Sequence, residues 1–403
     1  MLLNNIFIFF IVIIIVGIAD ASNVFDVNNI TNKVFIPGEN NYVAFRIPGI
    51  KVVDSKNILV FAEGRRYGCS DYAGEHDIVF KRSLDAGKTW SKINVLMNPY
   101  EMFGESICPT INKTSTTNAC QFWDPTPVYD KDTKILHVLT AFSNSAKHRM
   151  SSAMWVYSIT SNDLGATWNS PTNITNQILS LKYGVPTPSN GHGIQLSNGK
   201  LIVPNYVKLN GVSAVMSGIF YSDDHGKTWQ FAETSLVGLG TSESEVVELY
   251  PSSTSEASPV STLLFNHRRA PNAQIDTECD GKSGNQDGCR WQSISHDGGM
   301  TFNHFHAMPH LPDPSNKGGI CRYKEKRALL FTNTATDINQ SRVNVTLRIS
   351  YDNGNHWSDG ILISYWGGYS DVETIIDSSG KSKAAVIYEN NTCAININLV
   401  DLP

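Results

Sequence analysis

Short runs in which apolar and polar residues alternate recur along the chain, for example DIVFKRS, WVYSITS, GIFYSDD, RWQSISH and TLRISYD. This alternation is typical of β-strands, because successive side chains of a strand point to opposite faces. Gly, Asn and Ser separate the runs, and amphipathic helical patterns are nearly absent. The pattern predicts an all-β chain.

Each of these runs leads into one recurring turn, Ser-x-Asp-x-Gly-x-Thr-Trp. The Asp side chain is expected to accept hydrogen bonds from backbone amides two residues further on, and the Gly to take the positive φ of a tight hairpin. The aromatic residue is expected to pack the hairpin against its neighbours. The copies lie at Ser83–Trp90, Ser161–Trp168, Ser222–Trp229 and, in looser form, Ser295–Phe302 and Ser350–Trp357.

The repetition of this turn decides the predicted domain organisation. Repeats at intervals of tens of residues are typical of solenoids and propellers. The unequal intervals between the copies indicate loops inserted between the blades of a common core. A propeller is one large closed domain, so we predict a single domain over residues 22–403.

Residues 1–21 are predicted to be a secretory signal peptide. The apolar run from Ile6 to Ala19 is shorter than the roughly 20 residues that span a bilayer. Ala19 and Ala21 provide the small residues of a cleavage site. The first residues, MLLNN, contain no Lys or Arg, so a short signal anchor is the alternative. We expect the domain in the secretory pathway, either secreted or lysosomal, without stable membrane insertion.

Composition narrows the class of protein further. With 41% hydrophobic and 17% charged residues, the chain has an ordinary globular composition. Its net charge of -5 gives no reason to expect nucleic acid or an anionic membrane surface as a partner. No Pro/Ser-rich linker or low-complexity run divides the chain, and no pattern specifies an oligomeric state.

The chain contains 7 cysteines. In a secretory protein disulfides are the default expectation. Cys108 with Cys120 and Cys279 with Cys289 would staple two long insertions, and the odd number leaves at least one thiol unpaired within the chain. Because no Cys-x-x-Cys pair occurs, we expect no zinc site. We predict no metal-ligand set and no cofactor, and a structural calcium ion stays an alternative.

Three arginines far apart in sequence lie on or beside different strand runs: Arg46 in FRIP, Arg268 in FNHRR and Arg342 in SRVNVTLR. The inner strands of a propeller converge on one axis, so these side chains can meet in one pocket. The planar guanidinium group matches a carboxylate, and three such groups packed together favour the capture of an anion. The alternative is that each arginine pairs with its own acid on the surface.

FRIP, the repeated aspartate turns, RVNVTLR at 342–348 and GGYSDVET at 367–374 resemble the sialidase (neuraminidase) family. The resemblance runs from Phe45 to Glu389, and these segments are most similar to the animal lysosomal-type sialidases. It implies a six-bladed β-propeller. It also implies an exo-α-sialidase that hydrolyses terminal sialic acid from sialylated glycoproteins, glycolipids and oligosaccharides.

The resemblance also assigns roles to individual residues, and the carboxylate-binding arginine triad of the family is matched at all three positions. The matched residues are Arg46, Arg268 and Arg342 for the carboxylate, Glu389 holding the first arginine, Tyr369 as nucleophile, Glu243 as its partner, Asp71 as acid/base, and Arg65 with Glu63 near the ring substituents. The chain departs from the commoner family pattern Asn-Glu-x-Gln, because it has Ser242 and Glu245 around Glu243.

The chemistry of a sialoside explains these residue types. A sialoside carries a carboxylate on the carbon under attack, so a carboxylate nucleophile would be repelled, whereas the neutral Tyr369 is not. A phenol is a poor nucleophile and needs a base close by, which is the role given to Glu243. Asp71 lies on a Gly-rich loop, where a carboxyl group can protonate the leaving oxygen and then activate water.

Several of these assignments have a neighbouring alternative. Arg268 is preferred to Arg269 because it lies two residues after Asn266. Glu243 and Glu245 would share one face of a strand, so motif alignment alone selects Glu243. Asp71 is preferred to Asp77, which is expected to pair within its own blade. Arg65 is preferred to its neighbour Arg66, and His76 is expected to be a solvated loop histidine.

Other segments are expected to shape the rim of the pocket without taking part in the chemistry. These are Trp123–Pro125, Gly191–Gly193 and the loop from Gly281 to Cys289. Asn344 belongs to a glycosylation sequon two residues after Arg342, and on a regular strand both side chains would share one face. Either the strand is kinked there or the sequon is not used.

Two other functions are compatible with this reading. A trans-sialidase would use the same residues and differ in whether an acceptor sugar outcompetes water. A non-catalytic propeller that binds glycans or peptides would also contain aspartate turns. Such a module has no reason to combine FRIP, the three arginines and Tyr369.

Overall fold

A computed structural model describes residues 26–145, 154–210, 214–251, 260–269, 279, 288–336, 341–377 and 379–403. The predicted signal peptide, residues 1–21, lies outside these residues. Across the described part of the chain, no helix is long and apolar enough to cross a membrane. Two short helices, α1 (Pro99–Phe103) and α2 (Thr175–Ile178), accompany a structure that consists mostly of strands.

The strands are short and follow one another along the whole described chain. In order they are β1 (Asp26–Phe35), β2 (Ala44–Val52), β3 (Ile58–Arg65), β4 (His76–Ser83), β5 (Asn94–Met97), β6 (Gln121–Asp130), β7 (Ile135–Ser143), β8 (Met154–Ser161), β9 (Thr172–Asn173), β10 (Thr187–Pro188), β11 (Ile194–Gln195), β12 (Leu201–Lys208), β13 (Val215–Ser222), β14 (Gln230–Phe231), β15 (Glu245–Glu248), β16 (Leu263–His267), β17 (Cys289–Ser295), β18 (Asn303–Pro312), β19 (Gly319–Tyr323), β20 (Ala328–Thr334), β21 (Val343–Ser350), β22 (Ile361–Trp366), β23 (Ser370–Ile376), β24 (Ser382–Glu389) and β25 (Ile395–Asp401).

Strands that are neighbours in sequence pair antiparallel into sheets. Strands β15–β18 form one four-stranded sheet, β19–β22 a second, and β1 with β23–β25 a third, while β10–β14 form a five-stranded sheet. Strands β2–β9 are joined into an eight-stranded sheet. In that sheet two antiparallel groups, β2–β5 and β6–β9, are linked by the parallel pair of His76 and Gln121.

The sheets pack face to face around a closed ring. Strand β1 pairs with β25, so the two ends of the described chain share one sheet. Apolar clusters fill the spaces between neighbouring sheets; one of them joins Phe45 and Val60 to Ile387 of the last sheet. Strands such as β3 are buried on both faces, because a sheet lies on either side of them. The prediction of an all-β, propeller-like fold is confirmed.

The repeated turn has one hydrogen-bond pattern. In the first copy the Ser83 hydroxyl donates to Asp85 Oδ1 (2.8 Å), and the amide of Gly87, which has a φ of 85°, donates to Ser83 Oγ (2.8 Å). The Asp85 carboxylate accepts from the amide of Thr89, four residues on, at 2.8 Å. The expected contact two residues on was therefore wrong: the serine hydroxyl lies inside the turn, and the left-handed glycine directs the later amide to the carboxylate. Equivalent bonds to Asp163, Asp224, Asp297 and Asp352 occur in the other copies.

The FRIP segment bends strand β2. Its pairing with β3 is irregular between Arg46 and Gly49, and Ile47 has a φ of 58°, which is unfavourable for a β-branched residue. The Glu389 carboxylate accepts the amide of Ile47 at 2.8 Å. A Cβ atom at Gly49 would lie 2.4 Å from the carbonyl oxygen of Gly191. A hydrogen bond to Glu389 of β24 and the close approach of the loop between β10 and β11 therefore hold the bend that directs Arg46.

Asn344 shows the same kind of bend on β21. Its φ is 57°, and the pairing of β21 with β22 is irregular between Val345 and Thr346. The strand is kinked there, so Asn344 and Arg342 do not follow the alternation of a regular strand. Of the two explanations offered for this sequon, the structure shows the kink.

Three disulfides join described cysteines. Cys108–Cys120 and Cys279–Cys289 confirm the two predicted pairs. The third, Cys69–Cys393, spans 324 residues and was not predicted. Cys321 carries a free, buried thiol.

Candidate active site

Five of the proposed site residues lie at strand ends that meet at one end of the ring. Arg46 lies near the start of β2, and Tyr369 directly precedes β23. Glu243 lies two residues before β15, Arg268 directly follows β16, and Arg342 directly precedes β21. Residues far apart in sequence are therefore brought together because their strands belong to neighbouring sheets around one axis.

Tyr369 lies at the centre of this group. Its side chain is buried, and its hydroxyl donates to Glu243 Oε2 at 2.7 Å. Arg268 Nη1 donates to the same hydroxyl oxygen at 2.6 Å and also forms an ion pair with Glu243. The guanidinium carbons of Arg46, Arg268 and Arg342 lie 5.4, 5.3 and 5.1 Å from the centroid of the Tyr369 ring. The three predicted arginines thus surround one phenol.

Glu389 holds Arg46 in this arrangement. Its carboxylate accepts from Arg46 Nε at 3.1 Å and Nη2 at 3.3 Å. It also accepts the amides of Ile47 (2.8 Å) and Tyr369 (3.2 Å). Burial opposes the charge of Arg46, but Glu389 and Asp71 outweigh it and raise the pKa of the guanidinium. One carboxylate therefore joins the FRIP bend to the backbone of Tyr369.

Arg342 is held differently from the other two arginines. Its Nη2 donates to the carbonyl oxygen of Ser315 at 3.1 Å, and within the described residues it makes no ion pair with an acid. Ser315 has a φ of 58°, so its backbone belongs to a tight bend. A guanidinium group that donates to a carbonyl oxygen, beside a pocket with two further arginines, favours the binding of an anion.

Asp71 lies at the other side of Arg46. Its Oδ1 accepts from Arg46 Nη1 at 2.8 Å and from Arg65 Nη2 at 2.9 Å, and its side chain is 34% exposed. Arg65 in turn donates to Glu63 at 2.6 Å, and both of these side chains are fully buried. Burial would raise the pKa of Glu63, but Arg65 and His76 lower it to about 2. Hydrogen bonds therefore link eight of the nine predicted residues in one network, and the ninth, Arg342, lies beside the Tyr369 ring.

A second layer of charged side chains lies beneath Tyr369 and Glu243. Asp371 and Glu245 follow them by two residues on the same strand faces, and Lys317 and His192 complete the layer, all with 0–1% exposure. Lys317 forms an ion pair with Glu245 and lies 3.6 Å from Asp371, which is 3.0 Å from His192 Nδ1. Burial raises the pKa of Glu245 to about 7 despite Lys317. For Asp371, burial is outweighed by His192 and Lys317, which lower its pKa to about 2.

The far end of the axis is formed by the other ends of the same strands. A cavity of about 550 Å³ opens there, and Lys51 and Glu373 lie in its lining as an ion pair. Arg322 pairs with Glu248 at 2.8 Å in the same lining. None of the predicted site residues lines this cavity.

The neighbouring alternatives lie elsewhere. Arg66 pairs with Asp77 (2.9 Å), and the Tyr42 hydroxyl donates to the same carboxylate. The prediction that Asp77 pairs within its own sheet is confirmed. The expectation for His76 was wrong: it is fully buried at the start of β4, 3.4 Å from Glu63, and burial lowers its pKa to about 4. Glu245 belongs to the lower layer.

Two of the three predicted rim segments were also placed wrongly. Trp123 and Asp124 are fully buried, and Asp124 accepts from the hydroxyl of Tyr206 at 2.6 Å. His192 is 1% exposed, within the layer beneath the site. When every position of a segment is buried, the sequence pattern does not distinguish a residue near the axis of the ring from one at the rim of the pocket. This is why these two segments were misplaced. In the third segment, residues 281–287 lie outside the described residues.

Two described groups offer metal-ligand atoms close together. In the first, His192, Glu245 and Asp371, the ammonium group of Lys317 already contacts both carboxylates. The second group consists of Asp130, Asp132 and His225. There the side-chain amide (Nε2) of Gln195 donates to Asp130 at 2.6 Å and to Asp132 at 3.0 Å. A proton donor thus lies where a cation would bind in both groups.

Sequence reasoning missed three features of the site. The layer beneath Tyr369 and Glu243 left only a weak signal in the sequence. Glu245 stands where the family pattern Asn-Glu-x-Gln has glutamine, and an additional buried acid needs a cation such as Lys317. The carbonyl of Ser315 had no signal, because any residue type offers a carbonyl. The Cys69–Cys393 bond joins Cys69, two residues before Asp71, to Cys393, four after Glu389. The sequence left this bond undetermined, because three cysteines remained after the two predicted pairs: Cys69, Cys321 and Cys393.

A family model described as a BNR repeat-like domain matches residues 56–372. The chain belongs to this family. This BNR repeat-like domain is 26% identical over 384 residues to a sialidase of Bacteroides fragilis, covering 91% of the chain and 63% of the relative. It is 27% identical over 361 residues to an exo-alpha-sialidase of Arthroderma benhamiae, covering 83% of the chain and 76% of the relative.

A solved structure shows the fold of the BNR repeat-like domain. The Hadza microbial sialidase Hz136 aligns with a TM-score of 0.76 at 23% identity, over 93% of this chain and 68% of that one. The resemblance to the sialidase family that the sequence suggested is confirmed by these comparisons. The chain spans less than two thirds of the Bacteroides fragilis relative.

Proposed function

We propose that this chain is a retaining exo-α-sialidase that acts on terminal sialic acid of glycoconjugates. The observation that carries the proposal is the set of three guanidinium groups around the buried ring of Tyr369, whose hydroxyl is bonded to Glu243. Sialidases among its relatives support the same activity. No metal or cofactor takes part.

The first step is the binding of the substrate carboxylate by Arg46, Arg268 and Arg342. Arg46 and Arg268 are held by acids, whereas Arg342 contacts a carbonyl oxygen. The group therefore retains the capacity to bind an incoming anion. Guanidinium groups bind carboxylates through paired, charge-assisted hydrogen bonds, which orient as well as attract the substrate.

The second step is attack by Tyr369 on the anomeric carbon. Glu243 accepts the phenolic proton along the existing 2.7 Å hydrogen bond, and Arg268 stabilises the phenolate oxygen. Asp71 protonates the leaving oxygen and then activates water, which releases sialic acid from the tyrosyl intermediate with retention of configuration.

Glu389 is proposed to orient Arg46, in agreement with its paired hydrogen bonds. Arg65 and Glu63 were expected near the ring substituents of the substrate. Both side chains are fully buried and Arg65 is bonded to Asp71, so a direct contact with substrate requires the Asp71 loop to move. Their present geometry supports the positioning of Asp71.

We further propose that the ring has six blades, with β2–β5 and β6–β9 counted as two. A separate apolar cluster that contains Phe61 and Phe122 lies between these two groups, as expected for neighbouring blades. The chain is proposed to enter the secretory pathway, in agreement with its three disulfides.

Incubation of the purified chain with sialyllactose, with and without excess isotope-labelled lactose, tests the function. Free sialic acid in both samples is the expected result, and NMR of the first product formed should show the α-anomer. Sialic acid transferred mainly to the added lactose would identify a trans-sialidase instead. No cleavage by a folded sample between pH 4 and 8 would contradict the proposal.

A further inference from the structure

The Cys69–Cys393 disulfide joins two loops of the candidate site that are 324 residues apart. Cys69 lies two residues before Asp71, on the loop between β3 and β4. Cys393 lies on the loop between β24 and β25, four residues after Glu389. The bond therefore connects the segment that carries the proposed acid to the segment that carries the acid partner of Arg46.

Both half-cystines are also hydrogen-bonded to the site through their carbonyl groups. Arg65 Nη1 donates to the carbonyl oxygen of Cys69 at 2.5 Å. The amide of Phe45, directly before Arg46, donates to the carbonyl oxygen of Cys393 at 2.7 Å. The disulfide thus fixes the distance between the backbone beside the acid and the backbone beside the first carboxylate-binding arginine.

Asp71 needs an anchor of this kind because Arg46, one of its hydrogen-bond partners, is also proposed to bind the substrate carboxylate. Its carboxylate is bonded to Arg46 and Arg65. When a substrate carboxylate binds Arg46, it competes with Asp71 for that guanidinium group. The Asp71 loop, residues 66–73, is exposed or half-buried, so packing fixes it less than the strands around it. A covalent bond to the opposite loop limits its movement whether or not Arg46 is occupied.

We propose that Cys69 and Cys393 are positioning residues for the general-acid step. Their disulfide keeps Asp71 within reach of the leaving oxygen while the substrate carboxylate takes up Arg46. This inference rests on the proposed sialidase function, and it adds a disulfide outside the groups that touch substrate.

The experiment compares two substrates that differ in their need for an acid. Sialyllactose has a sugar alkoxide as leaving group and needs protonation, whereas an aryl sialoside such as 4-methylumbelliferyl sialoside has a stable phenolate and needs little. In Cys69→Ser/Cys393→Ser, kcat/KM for sialyllactose, which reports the steps up to departure of the leaving group and not the later activation of water, should fall about 10- to 100-fold, a part of the 10²–10⁴-fold that general acids contribute. For the aryl sialoside it should fall less than about 3-fold.

Two further variants calibrate this result. Asp71→Asn should show the same selective loss with a larger size, because it removes the acid itself. Cys108→Ser/Cys120→Ser removes a disulfide that closes only 12 residues and whose sulfurs lie in an apolar cluster. Its losses on the two substrates should be equal, whatever its effect on thermal stability.

A second measurement uses the unmodified chain. Cys69 and Cys393 are half-buried, whereas the cysteines of the other two disulfides are buried. A water-soluble phosphine should therefore reduce this bond first; phosphine and water are consumed, and two thiols and a phosphine oxide form. Alkylation and mass spectrometry identify the reduced pair, and the reduced enzyme should show the same selective loss on sialyllactose.

The outcomes separate this inference from the function on which it rests. Equal losses on both substrates, or no loss on either, would overturn the positioning role, because the bond would then contribute only stability or nothing. A wild-type chain that cleaves neither substrate would overturn the sialidase function itself. Selective loss after reduction would support the proposal even if the double variant did not fold.

Discussion

Tyr369 and Glu243 lie at the ends of paired strands, whereas Asp71 lies on a surface loop. The amide of Tyr369 donates to Glu389 and its carbonyl accepts the amide of the same residue at 2.9 Å. Beside Glu243, the amide of Ser242 donates to the carbonyl of Arg268 at 3.0 Å. Asp71 is held by two arginine side chains and, two residues away, by a disulfide.

This difference corresponds to the different tasks of two halves of the site. The rigid half consists of Tyr369 and Glu243, and the adjustable half is Asp71 on its loop. A nucleophile acts on one atom from one direction, so a buried and rigid position reduces the cost of reaching the transition state. An acid that serves first the leaving oxygen and then water needs solvent access and some freedom. A 34% exposed carboxyl on a tethered loop provides both. Variants that change the rigid half and variants that change the support of the adjustable half test this comparison separately.

The largest effect is expected in the rigid half. Tyr369→Phe keeps the ring among the three arginines but removes the nucleophilic oxygen, so kcat for sialyllactose should fall about 10⁴-fold, or about 5.5 kcal/mol. Circular dichroism and unfolding should remain close to wild type. Tyr365→Phe, a change of an exposed tyrosine four residues away, is the matched control and should be fully active. Normal turnover of Tyr369→Phe would remove Tyr369 from the mechanism.

The second effect concerns the support of Asp71. Arg65→Gln leaves the fully buried Glu63 without its main positive partner, and loss of one member of a buried pair costs about 3–5 kcal/mol in the free energy of unfolding. Urea unfolding at pH 7 measures this change. The double variant Glu63→Gln/Arg65→Gln should recover part of the loss, since no charge remains buried. An unchanged unfolding midpoint in Arg65→Gln would show that His76 or water replaces the arginine.

The sequence indicated the site residues better than it indicated how they are held. The all-β, propeller-like fold followed from alternation and from the repeated turn, and the positions of Arg46, Arg268 and Arg342 followed from short motifs. Their convergence depends on the ring, which brings strand ends together from opposite ends of the chain. The number of blades and the catalytic roles stay predictions.

The errors have a common physical reason. His76, Trp123 and His192 were assigned to loops or the rim because polar or Gly-rich surroundings suggest exposure, but each is buried next to a charged or aromatic partner. Near the axis of a ring, polar residues are buried because neighbouring sheets satisfy them. Such partners come from distant sequence, so local pattern does not reveal them.

The third prediction concerns pH and the layer beneath the nucleophile. Burial raises the pKa of Glu245 from 4.5 to about 7, in a layer with Lys317, His192 and Asp371. Because the folded pKa is higher, the contribution of Glu245 to stability is fully present below pH 4.5 and is lost as the pH rises through 7. Glutamine does not titrate, so the unfolding free energy of Glu245→Gln relative to wild type should rise by about 3 kcal/mol between pH 4.5 and 8.

Chemical unfolding of both proteins across this pH range measures the difference. Glu325→Gln, a change of an exposed glutamate to glutamine, is the matched control. A constant difference between Glu245→Gln and wild type at every pH would mean that Glu245 titrates alike in the folded and unfolded chain. In that case Glu245, in the layer beneath Tyr369, would not make the free energy of unfolding depend on pH.

The smallest effect is expected at Arg342, which donates to a carbonyl oxygen and, among the residues that the structure describes, pairs with no acid. Arg342→Gln leaves no buried carboxylate unpaired, so the free energy of unfolding should change by less than about 0.5 kcal/mol. The loss of a charge-assisted pair to the substrate carboxylate should raise the dissociation constant of sialic acid about 10- to 100-fold, or about 1.4–2.7 kcal/mol. Titration calorimetry measures this change.

Two controls connect that loss to the carboxylate. Arg327 also donates to a single backbone carbonyl, that of Pro251 at 2.7 Å, but it lies on the surface away from Tyr369, so Arg327→Gln should bind sialic acid normally. The methyl ester of sialic acid lacks the anionic charge, so wild type and Arg342→Gln should bind it with similar weakness. If the ester distinguished the two proteins as strongly as the free acid does, Arg342 would act through the shape of the pocket, and the anion-binding group would be reduced to the two arginines that acids already hold.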